Sequence, residues 1–202
     1  MNVENGAVIL SIDDIEQLLA SGAKRQVEIG DLSGAQDAGD AADRSDEMPF
    51  THLDHALQTA AVLRHRAPDD PELAVAGLVH DIGHLLPGVG DAEHAEAGAA
   101  AVREALGERV AGLVGLHVEA KRYLVARQAT YEGELAADSV ASLARQGGPM
   151  TSEERESFER LPHAQDALML RRADESAKVD GLVVLGLAEW MQTVRQLPAS
   201  AS

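Results

Sequence analysis

Leu73-Ala-Val-Ala-Gly-Leu-Val-His80-Asp81-Ile82-Gly83-His84-Leu85-Leu86 is the stretch that decides the fold. From Leu73 to Val79 no side chain is polar, so the helix expected here, running to about Leu86, is apolar nearly all round and central. It carries an imidazole and a carboxylate side by side, with a second imidazole one turn later. Ionisable groups rarely stay buried without a partner. His80, Asp81 and His84 therefore need something to hold, and a metal ion is the most economical candidate. Four apart on a helix, His80 and His84 share a face, while Asp81 is turned about a hundred degrees away. A carboxylate links two metals through its two oxygens, whereas an imidazole nitrogen binds one. An Asp beside a His is what a dinuclear site on a helix would use.

The chain around this stretch reads as helical. Pro68-Asp69-Asp70-Pro71 is a sharp turn, with Asp70 as N-cap and Pro71 at the first helical position. Before it, Thr51 with Asp54 caps a helix running to about Ala67. After it, Pro87-Gly88-Val89-Gly90 is a break, Asp91 starts a helix through about Leu106, and an amphipathic helix runs from Glu108 towards Ala129. Gly147-Gly148-Pro149 is a turn, and Thr151 with Glu154 forms a capping box for the next helix. Helices over about 162–178 and 181–196 close the chain. Residues 8–20 predict a short helix with Ser11 as N-cap. Residues 29–47, rich in Gly, Asp, Ala and Ser, read as a mobile linker or lid. Strand-like alternation is absent, no internal repeat is present, and the fold class is all-α. The organisation expected is an N-terminal helix with linker or lid over 1–48, a helical domain over 49–197 and a disordered tail over 198–202.

Composition narrows the chemistry. Seventeen basic against thirty-four acidic residues leave a formal charge of −17, which disfavours nucleic acid, since a phosphate backbone is bound through Lys and Arg. There is no Cys, so disulfides, Fe–S clusters and thiol catalysis are excluded, and metal ligands must be His, Asp and Glu. Such donors suit Fe, Mn or Zn. No apolar run approaches the roughly twenty residues that span a bilayer, and the N-terminus lacks the basic start of a signal peptide. The expectation is a soluble cytoplasmic protein with no membrane partner. Two Phe, two Tyr and one Trp in 202 residues imply an aliphatic core.

Five of the eight histidines, His55, His80, His84, His94 and His117, lie within helical patterns among small or apolar neighbours. One such His is ordinarily a hydrogen-bonded core residue. Five on successive helices would each need a separate partner in an aliphatic core, which favours a shared metal centre.

His55, His80-Asp81, His94, His117 and Asp174 resemble, in order, the HD-domain superfamily of metal-dependent phosphohydrolases and oxygenases. More specifically the chain is similar to the PhnZ/TmpB-type mixed-valent di-iron oxygenases of phosphonate degradation. The matching stretches are His55-Ala-Leu-Gln-Thr-Ala60, Leu78-Val-His-Asp-Ile-Gly-His-Leu-Leu86, Leu116-His-Val-Glu-Ala-Lys-Arg-Tyr-Leu124, Ser142-Leu-Ala-Arg-Gln-Gly-Gly-Pro-Met150 and Leu170-Arg-Arg-Ala-Asp-Glu-Ser-Ala-Lys178. Together they cover about residues 50–180. The resemblance implies an HD-domain bundle of about seven to nine helices around two iron ions, Fe(II)/Fe(III). His55, His80, Asp81 and Asp174 would hold one iron, with Asp81 bridging to a second completed by His94 and His117. One departure concerns the segment before His55, where enzymes of this branch carry a gating Tyr and a Glu that recognises a substrate amino group. Residues 36–54 contain no Tyr; Asp46 and Glu47 are the nearest acids and Phe50 the only aromatic.

Lys121 falls one turn after His117, and Arg171 one turn before Asp174. Each is ordinarily a solvated surface charge. Beside metal ligands in so acidic a chain, they read as a pocket for a small anionic phosphonate, Arg as a bidentate grip and Lys as a point charge. By the resemblance His84, Ser139 and Gln146 complete the substrate pocket, with His84 and Lys121 as the catalytic pair. Their bland readings are hydrogen bonding to a ligand for His84 and turn capping for Ser139 and Gln146. His52 could reach the mouth of the site but reads better as a helix-surface residue. His65 and His163 read as exposed, and Asp43 to Glu47 as solvated chain.

The reaction implied is O2-dependent cleavage of the C–P bond of a 1-hydroxyphosphonate to phosphate and a carboxylate. Two other readings stay open on the residues alone: an HD phosphohydrolase acting on a small phosphoester or nucleotide, and a non-enzymatic scaffold with a structural metal.

Overall fold

A computed structural model describes residues 1–4, 7–24, 50–128, 130–135 and 137–197. Expectations for the 29–47 linker or lid, for Asp43 to Glu47 and for the 198–202 tail lie outside the described residues. Among them are eight α-helices: α1 Ile12–Gly22, α2 His52–Arg66, α3 Pro71–Val79, α4 His94–Arg127, α5 Ala137–Arg145, α6 Ser152–Glu159, α7 Ala164–Ser176 and α8 Leu187–Gln196. Helix starts follow the capping chemistry. Ser11/Asp14, Thr51/Asp54 and Thr151/Glu154 form reciprocal capping boxes, and the Asp70 side chain accepts from the Leu73 N–H with Pro71 at the first position.

The 34-residue α4 is a hairpin, not a rod. At Gly107 the backbone takes φ 87°, ψ 168°, and the arms 94–106 and 108–127 run back along each other. Small residues let them approach: a Cβ at Gly115 would sit 3.4 Å from the Ala99 Cβ, and one at Gly98 would sit 3.4 Å from Val114. The two helices expected on either side of residue 107 are therefore both present, joined without a loop.

Helices α2, α3, α4 and α7 surround an aliphatic core that includes Leu63, Leu73, Val75, Leu78, Val110, Leu113 and Leu170. α3 is buried from Leu73 to Val79, as its composition requires. Trp190 of α8 closes one side, with the Arg64 guanidinium 5.5 Å from its ring centre. A second, smaller cluster of Leu124, Val125, Tyr131, Leu135 and Leu143 seats α5. Outside the core, Arg109 pairs with Asp70 at 2.6 Å, Glu72 at 3.0 Å and Asp166 at 2.9 Å, tying α4 to the starts of α3 and α7.

Three expectations on local structure need correction. Residues 2–4 and 7–9 form a short antiparallel hairpin, β1 Asn2–Glu4 and β2 Ala7–Ile9, so α1 starts at Ile12. Three-residue strands are too short to display alternation; this one is pinned where the Leu10 N–H donates to the Ala101 carbonyl at 2.9 Å. α3 stops at Val79, and Ile82–Leu85 is a 3-10 turn rather than a continuation to Leu86. This turn packs tightly on the start of α4: a Cβ at Gly83 would lie 1.9 Å from the His94 carbonyl oxygen, so only glycine fits there. The last helix begins at Leu187, not 181, because Gly181 takes φ 67° and the chain to Gly186 runs outside regular structure. Among the described residues no helix is long and apolar enough to cross a membrane.

Candidate metal centre

Three helices and the break after α3 bring the six expected ligands together. His55 comes from α2, His80 and Asp81 from the break after α3, His94 and His117 from the two arms of α4, and Asp174 from α7. All but Asp81 are nearly fully buried, and the Asp81 side chain keeps 26% of its surface open. The Nδ1 atoms of His55, His80, His94 and His117 each face a backbone carbonyl, of Ala177, Gly77, Asp91 and Val114, at 2.6–2.9 Å. A carbonyl only accepts, so each Nδ1 carries a proton, and in the neutral ring each Nε2 presents a bare lone pair.

Those four lone pairs form two groups around Asp81. Asp81 Oδ2 lies 3.4 Å from His80 Nε2 and 3.8 Å from His55 Nε2. Asp174 Oδ1 joins this group, 3.1 Å from His55 and 3.8 Å from His80. Asp81 Oδ1 faces the other way, 3.5 Å from His117 Nε2 and 3.7 Å from His94 Nε2, which are themselves 2.9 Å apart. His80 Nε2 is buried without a hydrogen-bond partner. Converging lone pairs and carboxylates with no proton to share are what a cation satisfies, so these residues fit a metal, and each set supplies the N and O donors of a transition ion.

The electrostatics keep this donor set, His55 excepted, in the binding form. Burial opposes charge on Asp81, but His80, His84, His117 and His94 together hold its carboxyl well below the usual range. Burial likewise opposes charge on Asp174, and Arg171, His55 and His80 outweigh it. Burial and then His94 push the His117 imidazole well below its ordinary value, keeping it neutral. Burial resists protonation of His55, yet contact with Asp174 raises it.

His84 does not share a helix face with His80, since the 3-10 turn redirects it. It stacks on His94 with ring centres 3.9 Å apart and lines a cavity of about 430 Å³. Burial lowers its pKa, with His94 and His52 adding to the effect. Lys121, Ser139, Gln146 and Arg171 line the same cavity. Lys121 Nζ donates to Ser142 Oγ at 2.7 Å, and burial, then Arg171, pull its pKa down to about 8. Gln146 Nε2 donates to the Asp91 carbonyl at 3.4 Å, which leaves its buried Oε1 as an acceptor for a hydroxyl or amino hydrogen. His52 also lines the cavity, against the surface reading, whereas His65 and His163 are exposed as expected. Phe50 is buried edge-on to His55, ring centres 6.3 Å apart.

Sequence reasoning missed Ser142, Lys178, Asp91 and Arg145 as cavity residues. Ser142 follows Ser139 by three residues, and Lys178 follows Asp174 by four, the spacing that singled out Lys121 after His117. Arg145 pairs with Asp91 at 2.9 Å, a contact between elements that spacing does not reveal.

Fold and site together define a helical protein built round a buried histidine–carboxylate centre with a basic wall. Residues 52–156 match the HD domain family, and the chain belongs to it. It is 36% identical over 195 residues to hydroxymethylphosphonate dioxygenase of Gimesia maris, covering 92% of this chain and 94% of that protein. It is also 36% identical over 138 residues to the glycine-betaine-forming 1-hydroxy-2-(trimethylamino)ethylphosphonate dioxygenase of Leisingera caerulea, covering 64% of this chain and 70% of that one. The chain is thus an HD-domain enzyme of the oxygenase type, with a metal cofactor.

Proposed function

We propose that this protein cleaves the C–P bond of a small 1-hydroxyphosphonate with O2, releasing phosphate and a carboxylate. The observation that carries the reading is the convergence of four Nε2 lone pairs and two carboxylates beside a cavity walled by Lys121 and Arg171. In this reading His55, His80, Asp81 and Asp174 would hold one iron, and Asp81, His94 and His117 would hold a second. An Fe(II)/Fe(III) pair, when bound, supplies the redox chemistry and the O2 binding. The similarity to two phosphonate dioxygenases supports oxygenase over phosphohydrolase chemistry.

The chain's own residues do the rest. Lys121 offsets the phosphonyl charge within a basic wall that Arg171 completes, and Ser139 fixes its orientation, so binding would place C1 beside the ligand set. His84, held neutral, accepts the proton that the substrate hydroxyl loses on binding, and Gln146 Oε1 is free to accept a hydrogen bond from an amino substituent. Residues 49–197 form the catalytic unit in this account, and the enzyme works in the cytoplasm.

The test is O2 uptake and phosphate release by iron-loaded protein given hydroxymethylphosphonate or its aminomethyl and trimethylammoniomethyl derivatives. Stoichiometric O2 consumption with phosphate release is the expected result. Two bound irons with no O2 uptake on any 1-hydroxyphosphonate, together with phosphomonoester hydrolysis, would overturn the reading.

A further inference from the structure

Arg171 lines the cavity, yet most of its guanidinium is already engaged. Nε donates to Tyr131 Oη at 3.2 Å, Nη1 to Asp174, and Nη2 to both Ser139 Oγ at 3.2 Å and Glu175. Four of its five N–H donors therefore point at the protein. The plane is locked between a candidate metal ligand and a buried tyrosine, a poor arrangement for a bidentate grip on substrate.

Lys178 has the opposite character. Its side chain is 15% exposed, lines the same cavity, and places Nζ 3.2 Å from Ser139 Oγ and 3.5 Å from Glu175 Oε2. It lies beyond the end of α7, where no regular element holds the backbone. Buried side chains of α2 hold it instead. The Ala177 carbonyl accepts from His55 Nδ1, and both the N–H and the carbonyl of Val179 are taken by the Gln58 amide, at 3.1 and 2.6 Å. The residues on both sides of Lys178 are thus pinned, one by a candidate metal ligand and the other by a side chain only 2% exposed.

Hydrogen-bond stoichiometry at Ser139 points the same way. A hydroxyl has two lone pairs and one proton, while Lys and Arg side chains only donate. With Arg171 and Lys178 donating to its lone pairs, Ser139 must direct its proton elsewhere. The choices are Glu175 Oε2, at a long 3.3 Å, or an anion oxygen in the cavity. Lys121, Arg171 and Lys178 gather on one wall of the cavity, and Asp174 Oδ1 is turned away from them to the histidines.

We infer that Lys178, with Ser139, is a substrate-binding cation for the phosphonyl group, and that Arg171 is a positioning residue that sets Ser139, Glu175 and Asp174. The inference rests on the reading of this cavity as a phosphonate site.

Lys178→Gln keeps a donor for Ser139 and removes the charge; Lys178→Met is a second neutral variant. The probe is methylphosphonate, which lacks the C1 hydroxyl, titrated calorimetrically into the iron-loaded enzyme, alongside steady-state turnover of hydroxymethylphosphonate. The expected result is a Kd weakened about tenfold or more, a matching rise in KM, kcat changed far less, and most of the affinity restored by Lys178→Arg. Either neutral variant binding methylphosphonate as the wild type does, with KM unchanged, overturns the role of Lys178. If the wild type binds the probe and the variants do not, yet neither consumes O2, the anion cradle stands and the proposed reaction falls. A wild type that does not bind methylphosphonate overturns the anion cradle, whereas its O2 uptake on hydroxymethylphosphonate decides the reaction separately.

Discussion

His94 Nε2 and His117 Nε2 stand 2.9 Å apart while both Nδ1 protons are committed to backbone carbonyls. Two lone pairs at that distance repel, and a cation between them reverses the sign. Removal of metal by a chelator is therefore expected to lower the thermal midpoint. The scale is about 4 kcal/mol per ion at a thousandfold excess over Kd. Calorimetry with and without chelator checks this, and an unchanged midpoint would sink the pair as ligands.

Asp81 presents one oxygen to each histidine set, so its loss should be felt by both. Asp81→Ala is expected to purify with far less than one equivalent of metal by elemental analysis, whereas His117→Ala retains about one, since only one set loses a nitrogen donor. A full equivalent retained by Asp81→Ala would show that the two sets load independently.

Gly83 is the contact between the 3-10 turn and the start of α4. A methyl at 1.9 Å from the His94 carbonyl oxygen must push the two segments apart. Gly83→Ala should cost on the order of 3 kcal/mol and displace His94, with loss of metal from the second set first. Denaturant unfolding and metal content measure the two effects separately; wild-type values for both would contradict the packing.

Lys121 supplies the pH dependence. Burial, then Arg171, lowers its pKa from 10.5 to about 8, and the protonated form is the one that attracts an anion. kcat/KM reports the free enzyme, so it should be full below about 8 and fall as pH rises through that value. Lys121→Arg, charged throughout, should lose this alkaline limb although its activity is lower. Stability moves the other way. The unfolded lysine still holds its proton between about 8 and 10.5 where the folded one has lost it, so this group contributes increasing stability as pH rises through that window. A kcat/KM profile for Lys121→Arg that overlays the wild type would assign the limb to another group.

The parts of this protein legible in its sequence are those set by local chemistry. Ser11, Thr51, Asp70 and Thr151 mark helix starts because capping involves residues three apart. The six candidate ligands were legible because buried His and Asp in an aliphatic background have few alternatives, and because their order resembles a known pattern. What spacing could not give was set by contacts across the fold. The 3-10 turn after α3 packs Gly83 against a carbonyl eleven residues later, and that turn points His84 away from His80. Arg171 reads from the sequence as a substrate grip, and only its neighbours Tyr131, Ser139 and Glu175 reveal how little of it is left for one. The Asp91–Arg145 pair joins residues 54 apart and leaves no trace in any local pattern.

The reversal at Gly107 has a chemical meaning beyond topology. His94 and His117 belong to one continuous element, so the two nitrogens act as the teeth of a single chelate whose bite is set by the angle at its hinge. That hinge is a residue with φ 87°, thirteen positions from His94 and ten from His117, and it does not line the cavity. A side chain at Gly107 would strain the turn and spread or close the teeth. Sequence change at the outer tip of the hairpin is thus a route to retuning which ion the second set prefers, without altering any residue that the ion or the substrate meets.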